Sequence, residues 1–410
     1  MDKKALVITV GVGVGASREE ASRSIAHAIV FSIMENNPSK VFFIVSKESK
    51  ESVVPLVLGE LGSGLDYELM ETSDENDLNN CFEAALRAIE SAEKGGYRIT
   101  VDFTSGTKAM SAGAVLAATG KTTSLSYVGG KRIGGKVVLG EEKLTVFVPR
   151  KAMIKEQYRH LAKLFDAYQF TSCIRLIDAI KETIGDPEEI ERLKAYRDVC
   201  EGYYQWDVFN HEKAKELLSK VEGIPDENKE FLGRLTRTKE GREIFLIADL
   251  LNNSQRRKRE GKYDDAVARL YRVVELLAQY VLRSKYDVET SNLQLGKISQ
   301  ATEKCLNLKE ELEKEKDEKG RIRIGLAKSY KVLYCLGERI GEEFFNNRRL
   351  QDLLGKRNES ILAHGVTPIT EHDYDQLYEE VIRLSGFILD LEELLNKSKF
   401  PNSSTIGLFK

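Results

Sequence analysis

The pattern of apolar residues changes abruptly near Pro149, and this change constrains the fold more than any other feature of the 410-residue sequence. Before it, short β-branched runs alternate with amphipathic stretches of helical periodicity. The pattern predicts strands at residues 5–11, 40–46, 66–72, 97–105 and 124–130. It predicts helices between them at residues 18–35, 48–60, 77–94 and 107–119. Strands alternating with helices are typical of a parallel α/β sheet. A glycine-rich stretch, residues 129–150, then predicts a hairpin added to the sheet edge.

Past Pro149 the strand signals stop, and Leu, Ile, Ala and Tyr recur at helical spacing between Lys and Glu. This spacing predicts helices at residues 152–168, 171–183, 187–204, 211–221, 262–284, 321–340 and 372–397. The clearest internal break is "GIPDENKE", residues 223–230. We therefore predict a Rossmann-like α/β domain at residues 1–150, a helical connector at 151–225 and an all-α domain at 226–410.

The composition excludes several classes of protein. The chain has 62 basic and 65 acidic residues and a formal net charge of -3, so any nucleic-acid site must be a local patch and no stable DNA complex is expected. Five cysteines lie far apart without a CxxC pair, which is typical of separate buried thiols in a reducing cytosol rather than of disulfides or a zinc site. We see no signal peptide and no apolar run of about 18 residues. A cytoplasmic protein without a membrane partner is expected.

The first predicted strand runs into the glycine-rich turn "TVGVGVGAS". In an open parallel sheet, ligands bind at the carboxyl ends of the strands, where helix N-termini present free N–H groups. The turn fits a dinucleotide pattern, GxGxxA, but the second strand ends in Ser46 and Lys47 instead of the acidic residue that would bind a ribose, which argues against an NAD enzyme. The candidate ligand-binding residues here are Gly11, Gly13, Gly15 and Ser17, with Ser46 and Lys47 as weaker candidates.

The fourth predicted strand ends in a second cluster of hydroxyl groups, at the start of a helix. The cluster is not a phosphate-binding P-loop, because it lacks the GxxxxGK[ST] spacing. Hydroxyls and backbone N–H groups with one cation suit a phosphodiester or a ribose. The alternative is that Thr104 or Ser105 only caps the helix. The candidate ligand-binding residues are Thr104, Ser105, Gly106, Thr107 and Lys108.

The stretch "VDFTSGTKAMSAGAVLAA", residues 101–118, resembles the D-[FY]-[TS]-[GS]-G-[TS]-K-x-M signature of the CARF domain, a Rossmann fold that senses cyclic oligoadenylate. The resemblance implies a homodimer in which the carboxyl edges of two sheets form a shared cleft for the cyclic ligand. Residues 11–17 and 104–108 would line that cleft. Asp102, just before the second cluster, would either orient the loop or contact the ligand.

A second polar cluster lies in "LLGKRNESILAHGVTP", residues 353–368. Arg357 and His364 are seven residues apart, which on one helix would place both on nearly the same face. Gly365 and Pro368 predict that the helix stops just after His364, which would then sit in the last turn. Metal-free RNA cleavage needs a general acid or base and a cation that stabilises the phosphorane. His and Arg can supply these two functions near neutral pH.

This spacing resembles the R-x4-6-H motif of HEPN ribonucleases, an all-α family that dimerises to bring two motifs together. The resemblance implies catalytic roles for Arg357, Asn358 and His364. As a whole, the chain resembles the CARF–HEPN effectors of type III CRISPR systems. It implies a homodimeric endoribonuclease that is activated by cyclic oligoadenylate, requires no metal or other cofactor, and cuts single-stranded RNA by attack of the 2'-hydroxyl. Two alternatives stay open: a ligand-responsive regulator without nuclease activity, and a sensor that also cleaves its own activator.

Overall fold

A computed structural model describes residues 3–13, 17–62, 64–119, 123–133, 136–137, 140–148, 150–184, 186–237, 240–298 and 303–409. The chain forms two compact units, which we call the sheet unit (residues 1–157) and the helical unit (residues 158–410). The further division at residue 225 stays a prediction.

The sheet unit contains a six-stranded sheet in the order β3-β2-β1-β4-β5-β8. The first five strands are parallel, whereas β8 pairs antiparallel with β5 and extends the edge. The Rossmann-like sheet and its edge hairpin are thereby confirmed. The strands are β1 Lys4–Val10, β2 Lys40–Val45, β3 Tyr67–Glu71, β4 Arg98–Asp102, β5 Thr123–Gly129, β6 Arg132–Ile133, β7 Lys136–Val137 and β8 Lys143–Phe147, with β6 and β7 forming a separate pair.

Helices cover both faces of this sheet, because successive side chains of a strand point to opposite faces. Ala5 and Val7 of β1 belong to one apolar core, and Leu6 and Ile8 belong to the other. The helix predicted at residues 48–60 is in fact two helices, because Pro55 has no N–H to continue the hydrogen-bond ladder. The helices are α1 Arg18–Asn36, α2 Lys47–Ser52, α3 Val54–Leu61, α4 Leu78–Lys94 and α5 Lys108–Ala118.

From residue 150 onward the described chain is helical, as predicted. The helices are α6 Arg150–Asp166, α7 Phe170–Thr183, α8 Pro187–Asp207, α9 His211–Leu218, α10 Asp226–Arg237, α11 Arg242–Arg259, α12 Tyr263–Tyr286, α13 Glu303–Glu313, α14 Leu326–Cys335, α15 Arg339–Asn346, α16 Arg348–Asn358, α17 Glu371–Ser385 and α18 Glu392–Lys397. A short 3₁₀ turn, Leu295–Lys297, precedes α13.

Two predicted long helices are each interrupted. The helix predicted at residues 321–340 breaks at Gly337, whose φ of 78° lies in the left-handed region. The helix predicted at residues 372–397 breaks after Ser385, and the Asp390 side chain accepts a hydrogen bond from the N–H of Glu392 to begin α18. Within the described ranges, none of the helices is both long and apolar enough to cross a bilayer.

The cysteines depart from the expectation of five separate thiols. Cys305 and Cys335 form a disulfide, with their Cα atoms 5.2 Å apart, so the expectation is wrong for this pair. The two residues are 30 positions apart, and only the packing of α14 against α13 brings them together. Cys81, Cys173 and Cys200 are buried thiols, as expected.

Candidate functional site

The two glycine-rich turns meet at the edge of the sheet where the parallel strands end, which we call the carboxyl edge. Strands β1 and β4 are neighbours in the sheet. From β1 the chain continues to β2 on one side of this pair, and from β4 it continues to β5 on the other side. Sheets of this kind bind ligands at such a switch point. Gly11 touches Gly106, because a Cβ atom on Gly11 would lie 2.6 Å from the Gly106 nitrogen. The structure therefore brings these two predicted segments together. Gly15 lies outside the described residues.

Most of the predicted hydroxyl groups are hydrogen-bonded within the sheet unit. Ser105 donates its Oγ hydrogen to the Thr9 carbonyl and accepts from the N–H of Gly11. Thr104 Oγ1 accepts from the N–H of Val128 at 2.8 Å. The residue that caps α5 is Thr107, which accepts from the N–H of Met110 at 3.1 Å. The alternative that Thr104 or Ser105 caps this helix is wrong.

Other predicted residues at this edge begin helices. Ser17 caps α1 by accepting from the N–H of Glu20 at 3.2 Å, and Ser46 forms a capping box with Ser49 at the start of α2. Lys47 and Lys108 are exposed as the first residues of α2 and α5. Because the first N–H groups of a helix lack intrahelical acceptors, α1 and α5 present donors at the carboxyl edge. With the two lysines, this edge suits an anionic ligand.

The buried side chain of Asp102 orients the turn at residues 104–108. Its carboxylate is fully buried and accepts from Ser32 Oγ at 2.7 Å, Ser126 Oγ at 2.8 Å and the N–H of Thr104 at 2.9 Å. Burial raises the pKa of Asp102 above its ordinary value, although these hydrogen bonds act in the opposite direction. A buried group bonded on three sides positions the loop and does not reach a ligand at the surface.

The helical unit places Arg357, Asn358 and His364 in one segment, but not on one helix. Helix α16 ends at Asn358, and His364 lies in a turn that follows it, so the prediction that His364 occupies the last helical turn is wrong. The chain folds back after α16. The N–H of His364 donates to the Asn358 carbonyl at 3.2 Å, and the N–H of Thr367 donates to the Glu359 carbonyl at 3.0 Å. We call residues 359–370, between α16 and α17, the motif loop.

The side chains of this segment differ in exposure. Arg357 is half-buried, and its guanidinium carbon lies 4.6 Å from the ring centroid of Tyr271 on α12. Its Nη1 donates to Asn358 Oδ1 at 3.4 Å, whereas Asn358 and His364 are exposed. Tyr271 was not predicted as part of the site. Its cation–π contact with Arg357 joins residues 86 positions apart, and no local sequence signal indicates it.

The motif loop is bracketed by an ion pair between its two flanking helices. Lys356 Nζ of α16 lies 2.5 Å from Asp373 Oδ1 of α17, and Asp373 also forms a capping box with Thr370. The Lys356 hydrogen bond, followed by that from Thr370, lowers the pKa of Asp373 to about 2. The pair therefore fixes both ends of the loop that carries His364.

This ion pair predicts a specific acid sensitivity. A carboxyl group whose pKa is lowered by folding adds stability above its unfolded-state pKa of 3.8, and that stability is lost as the pH falls towards about 2. We expect Lys356→Gln to return the pKa of Asp373 towards its ordinary value, so that helical content is lost at a higher pH. Circular dichroism between about pH 5 and about pH 2 measures this shift. Lys314→Gln, in the exposed loop after α13, is the charge-matched control, and an equal shift in both variants would contradict the prediction.

Among the residues that the structure describes, no group of three or more His, Cys, Asp or Glu side chains is placed to hold a metal ion.

A Rossmann-like sheet with a glycine-lined carboxyl edge, followed by an all-α unit with an R-N-x5-H segment, defines the class of CARF–HEPN effectors. Residues 154–246 match the family model of the Csm6 6H domain, and residues 236–388 match that of the Csm6 HEPN domain. Both matches are to domains of Csm6, and together they span residues 154–388, which agrees with the CARF–HEPN class of type III CRISPR effectors.

Comparison with solved structures agrees on the fold. Enterococcus italicus Csm6 bound to cyclic hexa-2'-fluoro-hexa-dAMP is 13% identical in sequence, aligns over 99% of both chains and gives a TM-score of 0.66. A type III CRISPR defence DNA nuclease activated by cyclic oligoadenylate aligns over 49% of this chain and 34% of its own, with 14% identity and a TM-score of 0.27, which is too low to indicate a shared fold. No curated protein sequence matches the chain.

Proposed function

We propose that this chain is a cytoplasmic, homodimeric endoribonuclease of a type III CRISPR antiviral response that is activated by cyclic oligoadenylate and needs no metal. The observation that carries the proposal is the position of Arg357, Asn358 and His364, which lie in one folded-back segment within the region that matches the Csm6 HEPN domain. The residue types suit RNA cleavage, and the exposed imidazole is accessible to a substrate.

The proposed reaction is attack of an RNA 2'-hydroxyl on the adjacent phosphorus. The 2'-oxygen forms a bond to phosphorus, the 5'-oxygen leaves with a proton, and the products carry a 2',3'-cyclic phosphate and a 5'-hydroxyl. His364 would move a proton at the attacking or leaving oxygen. Arg357 would stabilise the charged phosphorane, and its contact with Tyr271 would hold the guanidinium in place. Asn358 would position Arg357 through its side-chain oxygen.

Exposed apolar side chains around His364 support a dimer. Ile361 is 69% exposed, Leu362 is 46% exposed and Val366 is 87% exposed, all within the motif loop. Exposed apolar patches of this kind mark interaction sites. A second copy of the chain would bury them and bring two His364 side chains into one composite site, where one could act as base and the other as acid.

The activator would bind at the carboxyl edge of the sheet unit. The solved Csm6 of similar fold is bound to a cyclic hexanucleotide analogue, which supports a cyclic oligoadenylate as the ligand. The predicted contacts are the turn containing Gly11 and Gly13 with Ser17, the segment from Thr104 to Lys108, and Ser46 with Lys47. Lys108 and the N-terminus of α5 would bind the phosphates, whereas Ser105 and Thr107 mainly shape the turn.

The proposal is tested by incubating the full chain with a fluorescent single-stranded RNA in EDTA, with and without cyclic tetra-adenylate or cyclic hexa-adenylate. Activator-dependent cleavage that persists in EDTA would support it. Binding of a cyclic activator without RNA cleavage would instead favour a non-catalytic regulator. Loss of the activator over time in a His364→Ala variant would indicate that the sheet unit also cleaves its own ligand.

Gly365 offers a test of the geometry of the motif loop. A Cβ atom on Gly365 would lie 1.9 Å from the Glu359 carbonyl oxygen, so Gly365→Ala must displace the backbone next to His364. Small displacements of catalytic groups are costly, and we expect RNA cleavage to fall about 10²-fold. The measurement is the initial rate of cleavage in EDTA with saturating activator.

Gly355→Ala is the matched control for this prediction. Gly355 lies within α16, ten residues away, and its added Cβ atom would meet no atom within 4 Å. Alanine is favoured over glycine inside a helix by about 1 kcal/mol, so this variant should fold well and keep its activity. Equal rates for the two alanine variants would show that the fold-back of the loop does not position His364.

A further inference from the structure

A cavity of about 240 Å³ in the helical unit is lined by none of the residues assigned above to RNA cleavage or activator binding. It lies between the turn after α6, the C-terminal half of α11, helix α17, and α18 with the segment that follows it. Three of its lining residues are cations and three carry aromatic rings. The cations are Arg256, Arg259 and Lys399, and the aromatic residues are Tyr168, Tyr378 and Phe400. None of the described lining residues carries a carboxylate.

The buried cation of this cavity is incompletely paired. Arg256 is 3% exposed, its Nε donates to Asp207 Oδ1 at 2.7 Å, and its Nη2 lies 3.7 Å from Asp249 Oδ1. Within the described part of the chain, neither Nη1 nor Nη2 finds a hydrogen-bond acceptor. A buried guanidinium normally has its donors satisfied, so these two nitrogens can donate to an acceptor on a bound ligand. The Arg256 guanidinium carbon also lies 3.7 Å from the ring centroid of Phe400, which lines the same cavity.

Two further cations lie at the rim. Arg259 follows Arg256 by three residues on α11 and so shares its face of the helix, and its Nη1 donates to the Tyr168 hydroxyl. Arg259 and Lys399 are exposed, and over the described ranges neither forms an ion pair with a carboxylate. The intervening residues are paired elsewhere, Arg257 with Asp207 and Lys258 with Asp375. A helix C-terminus favours cations in general. This does not explain why the two terminal nitrogens of Arg256 find no hydrogen-bond acceptor although its Nε is paired with Asp207.

We propose that this cavity binds a phosphate-bearing anion of mononucleotide size. Guanidinium and ammonium groups form strong, charge-assisted hydrogen bonds to phosphate oxygens, and the absence of a lining carboxylate favours an anion. Aromatic rings offer faces on which a base can stack, and three side-chain amides of the lining offer hydrogen bonds to its edge. The volume admits one nucleotide rather than a strand. This site does not depend on the proposed ribonuclease function.

The test is titration calorimetry of the full chain at low ionic strength, with AMP, ribose 5-phosphate and adenosine as probes. We expect AMP to bind, ribose 5-phosphate to bind more weakly because it lacks a base, and adenosine to give no measurable binding because it lacks the phosphate. Arg259→Gln and Lys399→Gln should each weaken AMP binding about tenfold or more. Both side chains are exposed, so these variants should keep the fold.

Arg242→Gln is the matched control. Arg242 is exposed at the opposite end of α11, about 25 Å from Arg259 along the helix axis, and the variant removes the same charge. AMP binding should be unchanged in it. Absence of AMP binding at about 1 mM would overturn the proposal, as would AMP binding that neither Arg259→Gln nor Lys399→Gln weakens, because that binding would lie elsewhere. Equal affinity for AMP and ribose 5-phosphate would overturn the assignment to a nucleotide.

Discussion

His364→Ala is expected to abolish activator-dependent RNA cleavage in EDTA, with a loss of about 10²- to 10⁴-fold. An imidazole can act as a general acid or base, and a guanidinium cannot replace it in that role. His364 is exposed in the motif loop, so its removal should leave the fold intact. The measurement is the initial rate of cleavage of a fluorescent single-stranded RNA with saturating cyclic activator.

His372→Ala provides the matched control for this experiment. His372 is also exposed, lies eight residues further along in α17 and contacts the Gln376 side chain. Its removal should leave cleavage unchanged. Activator binding should be the same in the native chain and in both variants, because the proposed activator site lies in the sheet unit. Full cleavage by the His364→Ala variant would show that His364 takes no part in the reaction. That outcome would not contradict the proposed activator site in the sheet unit.

Asp249→Ala is expected to destabilise the helical unit by about 3–5 kcal/mol. Asp249 is fully buried on α11, accepts from Trp206 Nε1 at 3.1 Å and lies 2.8 Å from His211 Nε2. Its Oδ1 also lies 3.7 Å from Arg256 Nη2. Removing the carboxylate leaves the buried Trp206 Nε1 and His211 Nε2 without their hydrogen-bond partner, and the cost of unpaired buried groups exceeds that of a lost surface contact. Helices α8, α9 and α11 would lose their shared polar link.

The chain contains one tryptophan, Trp206, which is buried beside Asp249, so its fluorescence during urea unfolding reports on the helical unit. We expect the urea midpoint of Asp249→Ala to fall markedly. Asp198→Ala, an exposed position on α8, is the control and should change the free energy of unfolding by no more than about 0.5 kcal/mol. Equal midpoints for the two variants would show that the Asp249 network contributes little to stability.

The sequence predicted the class of fold and indicated the candidate segments for ligand binding and for catalysis. Period-2 and period-3.6 patterns depend on local geometry, and they located the five parallel strands of the sheet unit and helices α6 to α9 and α12 of the helical unit to within a few residues. They did not predict α10, α11 or α13. The glycines of the first turn and of "TSGTK" were identifiable because close backbone contacts and left-handed φ angles, such as that of Gly106 at 99°, favour residues without a side chain.

Only the tertiary structure showed which contacts those residues make and how far they are buried. The sequence could not show that Thr107 caps α5 in place of Thr104 or Ser105, or that Asp102 is buried beneath the loop. It placed His364 on a helix, because spacing by seven residues is compatible with one, whereas backbone hydrogen bonds from residues 364–367 fold the motif loop back on the end of α16. The Arg357–Tyr271 contact, the Cys305–Cys335 disulfide and the cationic cavity at Arg256 each join residues distant along the chain. Their proximity depends on how the helices pack, which local periodicity does not encode.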